Sequence, residues 1–112
     1  MPRTDLLRGT LDLLILQSLL VERRHGVGVA RRIEQLTRGR FHVGPGSLFP
    51  ALHRLEEKGW LRAEWGESEN NRRAKYYAVT EEGRKQLRAG EHGWSRYAEA
   101  VFKVLRAVEG RA

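Results

Sequence analysis

The stretch Glu69-Asn70-Asn71-Arg72-Arg73-Ala74-Lys75-Tyr76-Tyr77 sets three cations and two phenol rings behind a pair of asparagines. Asparagine tolerates left-handed backbone, so Asn70 and Asn71 read as a turn. Arg72, Arg73 and Lys75 then cluster at the tip of a hairpin where no apolar residue stands. Such a cluster can reach phosphates or a narrow minor groove, with Asn71 and Tyr76 beside it. The ordinary alternative is a solvated loop balanced by Glu67 and Glu69. A second stretch, Gly46-Ser47-Leu48-Phe49-Pro50-Ala51-Leu52, reads as the start of a helix. Gly46 lets backbone approach closely, the free N–H groups and the helix dipole suit a phosphate, and Ser47 can donate to one. Leu48, Leu52 and Leu55 form the inward stripe, which leaves Ser47, Phe49, His53 and Arg54 facing out, with Pro50 in the first turns. Here the ordinary alternative is a plain helix start with an exposed phenylalanine.

The inventory for catalysis is poor. His25, His42, His53 and His92 lie in different elements at no metal-ligand spacing, and the chain has no cysteine to join them. No serine or threonine sits in a nucleophile motif, and no glycine-rich phosphate loop follows a strand. Glu56 and Glu57 are adjacent on a helix and point in different directions. No enzyme activity and no cofactor are expected.

Length and charge narrow the class further. The 112 residues amount to one domain, and 21 Lys+Arg against 14 Asp+Glu leave a net charge of +7. A basic surface favours nucleic acid or anionic lipid. From Glu22 to Arg40 six arginines face two glutamates, so much of the excess lies on the second helix and its flanks. Arg31 and Arg32, with His25 before them, are candidates for contacts to a phosphate backbone; a solvated helix face accounts for them equally well. The longest apolar stretch, Leu13 to Leu20, is broken by Gln17 and Ser18 and is too short for a bilayer. Asp5 and Asp12 interrupt the region where a signal peptide would sit, so a cytoplasmic protein is expected.

The elements that must position these residues follow from periodicity. Leu7, Leu11, Leu14, Ile15 and Leu19 recur at helical steps and predict helix 1 over about Leu6–Glu22. His25-Gly26-Val27-Gly28 reads as a turn. Helix 2 follows over about Val27–Arg38, with Val29, Ile33 and Leu36 inward and Gly39 closing it. Phe41-His42-Val43 is a short extended segment able to pair with the hairpin. Helix 3 runs from Gly44-Pro45-Gly46-Ser47 to Lys58. Trp60–Trp65 alternates as a strand, with Leu61, Ala63 and Trp65 on one face. Gly66–Ala74 reads as loop and Lys75–Val79 as the returning strand. The last helix starts after Thr80, a good N-cap followed by Glu81 and Glu82, and reaches about Val108. Gly90 and Gly93 are places where it could kink. Three helices, then a hairpin, then a long helix is the winged helix-turn-helix plan, mainly α with a small β-hairpin. Residues 1–79 form the predicted DNA-binding part and 80–112 a dimerisation helix, in one compact domain. Leu87, Trp94, Val101 and Val108 fall seven apart, with Tyr97 and Val104 interleaved and Leu105 beside them. That spacing predicts a coiled-coil seam between two copies of the chain; packing on the protein's own body is the alternative.

Several of these motifs together resemble the PadR family of transcriptional regulators. They are Gly9-Thr10-Leu11-Asp12-Leu13-Leu14-Ile15-Leu16, His25-Gly26, the run Gly46–Glu56, and Arg73-Ala74-Lys75-Tyr76-Tyr77, in order along the chain. The short last helix is similar to the compact subfamily with one dimerising helix. The resemblance implies a homodimeric repressor of double-stranded DNA, acting on an inverted-repeat operator often of the ATGT…ACAT kind and relieved by an effector or another signal. It would place Ser47, Phe49 and Pro50 in the recognition helix and Arg73, Lys75 and Tyr76 in the wing. Val27 and Phe49 stand where tyrosine is common, and each lacks a hydroxyl that could donate to a phosphate. An apolar site near Trp94, between protomers, has room for a small aromatic effector; a tryptophan that simply packs is the alternative. A winged-helix module for RNA or protein contact is the other functional class, and association with a membrane surface fits the last helix less well.

Overall fold

A computed structural model describes residues 2–107, with side chains from Gly9 onward. Four helices and a three-stranded sheet follow in the order α1 (Pro2–Ser18), β1 (Arg24–His25), α2 (Gly26–Leu36), α3 (Pro45–Glu57), β2 (Leu61–Glu67), β3 (Arg73–Val79) and α4 (Glu81–Leu105). This is a mainly helical winged helix-turn-helix with a long last helix, as the periodicity predicts. Its core gathers Ile15, Leu16 and Leu19 of α1, Val29 and Ile33 of α2, Leu48, Ala51, Leu52 and Leu55 of α3, and Leu61, Tyr77 and Val79 of the sheet.

Most departures from the sequence reading lie at helix ends and at the third strand. Helix α1 stops at Ser18, not Glu22, because the Ser18 hydroxyl donates to the Ile15 carbonyl and the Arg24 Nε–H takes up the Ser18 carbonyl. The chain is then free to extend, and Arg24 and His25 pair with Tyr77 and Tyr76 as an edge strand. The third strand is therefore β1, where a turn was expected, and Phe41–Val43 is irregular. Helix α2 ends at Leu36. Arg38 and Gly39 both take positive φ there, and Leu36, expected inward, is exposed in the last turn. Both wing strands extend two residues further towards the tip than predicted, leaving a five-residue connection, Ser68 to Arg72. Ser68 and Arg72 close it by a hydrogen bond, and Asn71 holds φ +56°, the left-handed residue of a bulged hairpin turn.

The wing is strapped to the helices at one corner. Gly59, at φ +81°, ends α3, and the Trp60 N–H reaches back to the Leu55 carbonyl. Thr80 then takes part in four bonds, its carbonyl accepting from the Arg84 N–H. Its N–H donates to the Trp60 carbonyl, its hydroxyl donates to the Gly59 carbonyl, and the same oxygen accepts from the Gly83 N–H to cap α4. Helix α4 is unbroken through Gly90 and Gly93. Gly90 has a packing reason, since the Leu13 side chain of α1 occupies the space a Cβ would take.

Gly83 lies so close to the Trp60 carbonyl that any Cβ there would overlap backbone. Alanine has the better helix propensity by about 1 kcal/mol, but backbone can give way only by opening the strap. Gly83→Ala is expected to destabilise the chain by about 2 kcal/mol, read as a lower urea midpoint at unchanged slope. A variant at or above wild-type stability would show that the corner is slack.

Candidate nucleic-acid interface

Helix α3 begins with Gly44 as N-cap and Pro45 in its first turn, and no side chain caps it. The N–H groups of Ser47 and Leu48 turn inward to the Gly44 carbonyl. Ser47, Pro50 and His53 are exposed along the outer face of the helix, and His53 lies 3.6 Å from Glu57. Around Gly46 the space a Cβ would fill is open. Pro50 has no N–H to give the Gly46 carbonyl, and both residues lie at the surface.

Of the two remaining outward residues, Arg54 departs from expectation and Phe49 keeps to it. Arg54 is turned in: its guanidinium is paired with Asp12 of α1, both side chains are largely covered, and Nε is buried without a partner among the described residues. The position flanks the buried Ala51–Leu55 stripe, and a carboxylate waits there. Phe49 is 46 % exposed, with one ring edge laid on Gly26, where an added Cβ would come within 2.6 Å of it. Only a residue without a side chain at 26 lets α2 and the Phe49 ring approach that closely.

The start of α2 is built by His25. Its Nδ1 accepts from the Gly28 N–H, so in the neutral ring the proton sits on Nε2, which remains a donor. The ring meets Tyr76 edge-on at 5.6 Å. Arg31 is exposed, whereas Arg32 is partly covered and reaches Gln35.

In the wing, Arg72 and Arg73 are exposed, and the Arg73 guanidinium lies 4.9 Å over the Trp65 ring. Lys75 is not a free cation at the tip. It sits in β3 opposite Trp65 and bonds Glu56 of α3 at 3.1 Å. Tyr76 faces the other side of the sheet, where Arg23 lies over its ring and its hydroxyl donates to the Glu67 carbonyl. Arg23 also bridges to Glu64, which ties the segment before β1 to β2. Phe49 near the start of α3 and Arg73 of the wing thus line one cleft, with Lys75 in its wall bonded to Glu56.

Asp12, Glu56 and Trp65 escaped the sequence reading. The only signal for Asp12 was a carboxylate inside an otherwise apolar stripe. The strand alternation did put Trp65 on the face of Leu61 and Ala63, but not beyond the reach of the core. Among the described residues no group of histidines and carboxylates is arranged to hold a metal.

The dimerisation candidates divide. Leu87 is only 5 % exposed and belongs to the protomer's own core, which corrects its place in a seam between copies. Trp94 donates from its indole N–H to the Thr10 hydroxyl and meets Tyr97 edge-on. Tyr97, Val101, Val104 and Leu105 are exposed, and Val108 lies outside the described residues.

Comparison with known proteins bears on this arrangement. Residues 15–89 match the family described as the transcriptional regulator PadR-like family. The chain belongs to that family. Among solved structures, this PadR-like chain is similar to a transcriptional regulator from Clostridium thermocellum, at 27 % identity and a TM-score of 0.80, covering 88 % of this chain and 96 % of the other. It is also similar to a PadR family transcriptional regulator from Eggerthella lenta, at 31 % identity and a TM-score of 0.77, covering 94 % and 89 %. An uncharacterized protein from Lysinibacillus sphaericus is 28 % identical over 109 residues, covering 97 % of this chain and all of that protein. Among the described residues no helix is long and apolar enough to cross a membrane.

The Glu56–Lys75 tie has a pH signature. The hydrogen bond that Lys75 donates to Glu56 is the main cause that raises its amine above the ordinary 10.5, with the charges of Tyr77 and Glu56 adding and burial opposing. A folded-state pKa above the unfolded one means stability that is complete below about 10.5 and lost as pH rises through the raised value. Glu56→Gln should therefore lower stability modestly at pH 7 and narrow its deficit to wild type above pH 10.5. Denaturant titrations of both proteins across that range check it; a constant deficit would contradict the tie.

Proposed function

We propose that this PadR-like chain is a homodimeric repressor that binds double-stranded DNA at an inverted-repeat operator. One observation carries the reading: Gly46, Ser47, Phe49, Pro50 and His53 of α3 and the wing residues Arg72 and Arg73 are all exposed, and Phe49 and Arg73 line one cleft in which Glu69 is the acid. Helix α3 fits the major groove, where Ser47 and His53 meet base edges or phosphates, and the wing arginines reach the adjoining strand. Arg31 and the His25 Nε2–H stand behind them as contacts to the backbone. Arg54 and Lys75 act through the fold, because each is already paired.

The second copy of the chain is proposed to cover the outer half of α4. Tyr97, Val101, Phe102, Val104 and Leu105 are left in water along a helix that carries the molecule to a length of 63 Å against 28 Å across. Two such helices side by side bury that face and place two recognition helices on one duplex. Beside this seam, α1 and α4 enclose a groove of about 500 Å³ lined by Trp60, Trp94, Leu13 and Leu16, with Asp12 in its wall. A small aromatic effector is proposed to act there, next to the carboxylate that holds Arg54.

Arg73→Ala is expected to weaken binding to every duplex and to lower the salt slope by about one. Ser47→Ala and His53→Ala should weaken a selected site more than random DNA. Titrations of labelled duplex across a salt series separate the two, and a wing variant with wild-type affinity and slope would remove the wing from the interface. Duplex RNA in the same titration tests the alternative partner. Deleting residues 93–112 should leave a monomer or an insoluble chain by analytical ultracentrifugation; a stable dimer would move the interface elsewhere.

A further inference from the structure

The sheet face that closes the core continues past it. Leu61, Val79 and Tyr77 are buried on that face, but further towards the tip Trp65 is 59 % exposed. There it lines a cleft of about 490 Å³ with Phe49 of α3 and Val27 of α2, and Val27 is itself 55 % exposed. Large apolar groups held together in water mark a contact surface more often than single exposed ones do. The rim is cationic: Arg73 lies over Trp65, and Arg31 stands on the α2 wall. Glu69 is the acid of the lining.

The occupant must have carbon on its inner face and negative charge at intervals along its edge. A DNA strand has that chemistry, since apolar deoxyribose carbons and thymine methyls lie between successive phosphates. Position agrees, on the reading given under Proposed function. With α3 in a major groove and the wing at the adjoining minor groove, the strand separating the two grooves must run through this cleft. We propose that Trp65 and Phe49 clamp the apolar carbons of that strand between phosphates met by Arg73 and Arg31. Val27 and Phe49, each without a hydroxyl, leave the floor of the cleft to be recognised by carbon contact.

The test uses the full chain, a selected duplex and a random one, each made with thymine or with uracil, across a salt series. Trp65→Ala is expected to lose about five- to tenfold in affinity on selected and random duplex alike, at unchanged salt slope, because carbon contact releases no counterions. Trp65→Phe should recover most of it. A loss that persists with uracil assigns the contact to deoxyribose, and one that vanishes with uracil assigns it to the thymine methyl; either supports the clamp. In the wild-type protein, saturating DNA should shield tryptophan emission from acrylamide, and Trp65→Phe should abolish that shielding, so the proposal does not depend on how the alanine variant folds. Trp65→Ala binding as wild type while Arg73→Ala is weakened overturns the clamp and leaves the DNA-binding reading standing. A wild-type chain that binds no duplex overturns both.

Discussion

A helix that keeps one face bare must still be held firmly, and in this chain the Asp12–Arg54 pair does that for α3. The apolar stripe Leu48–Leu52–Leu55 fixes how deep α3 lies, but a greasy stripe lets a helix slide and rotate by small amounts. An ion pair flanking the stripe and largely out of water does not. Removing either partner would strand the other charge, whereas the intact pair adds little net stability over a hydrophobic isostere. Its contribution is position. Asp12 also lines the groove between α1 and α4, so the carboxylate that seats α3 is reached from the side where the second protomer is proposed to lie.

From the opposite side α3 is tied to the wing. Glu56 sits two residues beyond Arg54 and points across the helix to Lys75, and the turn after α3 is strapped by Thr80 and Trp60 to the start of α4. The spacing between α3 and the hairpin is therefore set twice, once by charge and once by backbone. The edge strand β1 then gives the sheet a third member, and its last residue, His25, is also the N-cap of α2. Three elements converge where Phe49 meets Gly26, and the cleft opens there.

Much of this was legible in the residues themselves. Four helices, the hairpin, the capping by Thr80 and the outward face of α3 follow from periodicity and turn chemistry, which are local. Which cations stay free did not follow. Lys75 and Arg54 look like interface residues as long as only their own strand and helix are considered. Their partners, Glu56 and Asp12, lie 19 and 42 positions away in the chain, and only packing brings them into range. Leu87 is a parallel case. It shares the seven-residue spacing of the seam, but the first half of α4 is covered by α1 and the start of the wing, so the spacing changes its meaning part-way along one helix.

The sequence by itself determined which segments are helical, where the hairpin turns, and that the outer end of α4 carries an unpaired apolar face. These depend on hydrophobic period and backbone preference within a dozen residues. Tertiary structure alone decided that β1 pairs with β3, that Arg54 and Lys75 are spent inside the fold, and that Val27, Phe49 and Trp65 meet in one cleft. Those outcomes depend on which distant side chains packing brings within reach of one another. There a carboxylate captures the nearest guanidinium or amine, and a glycine admits a ring, in ways no local rule anticipates.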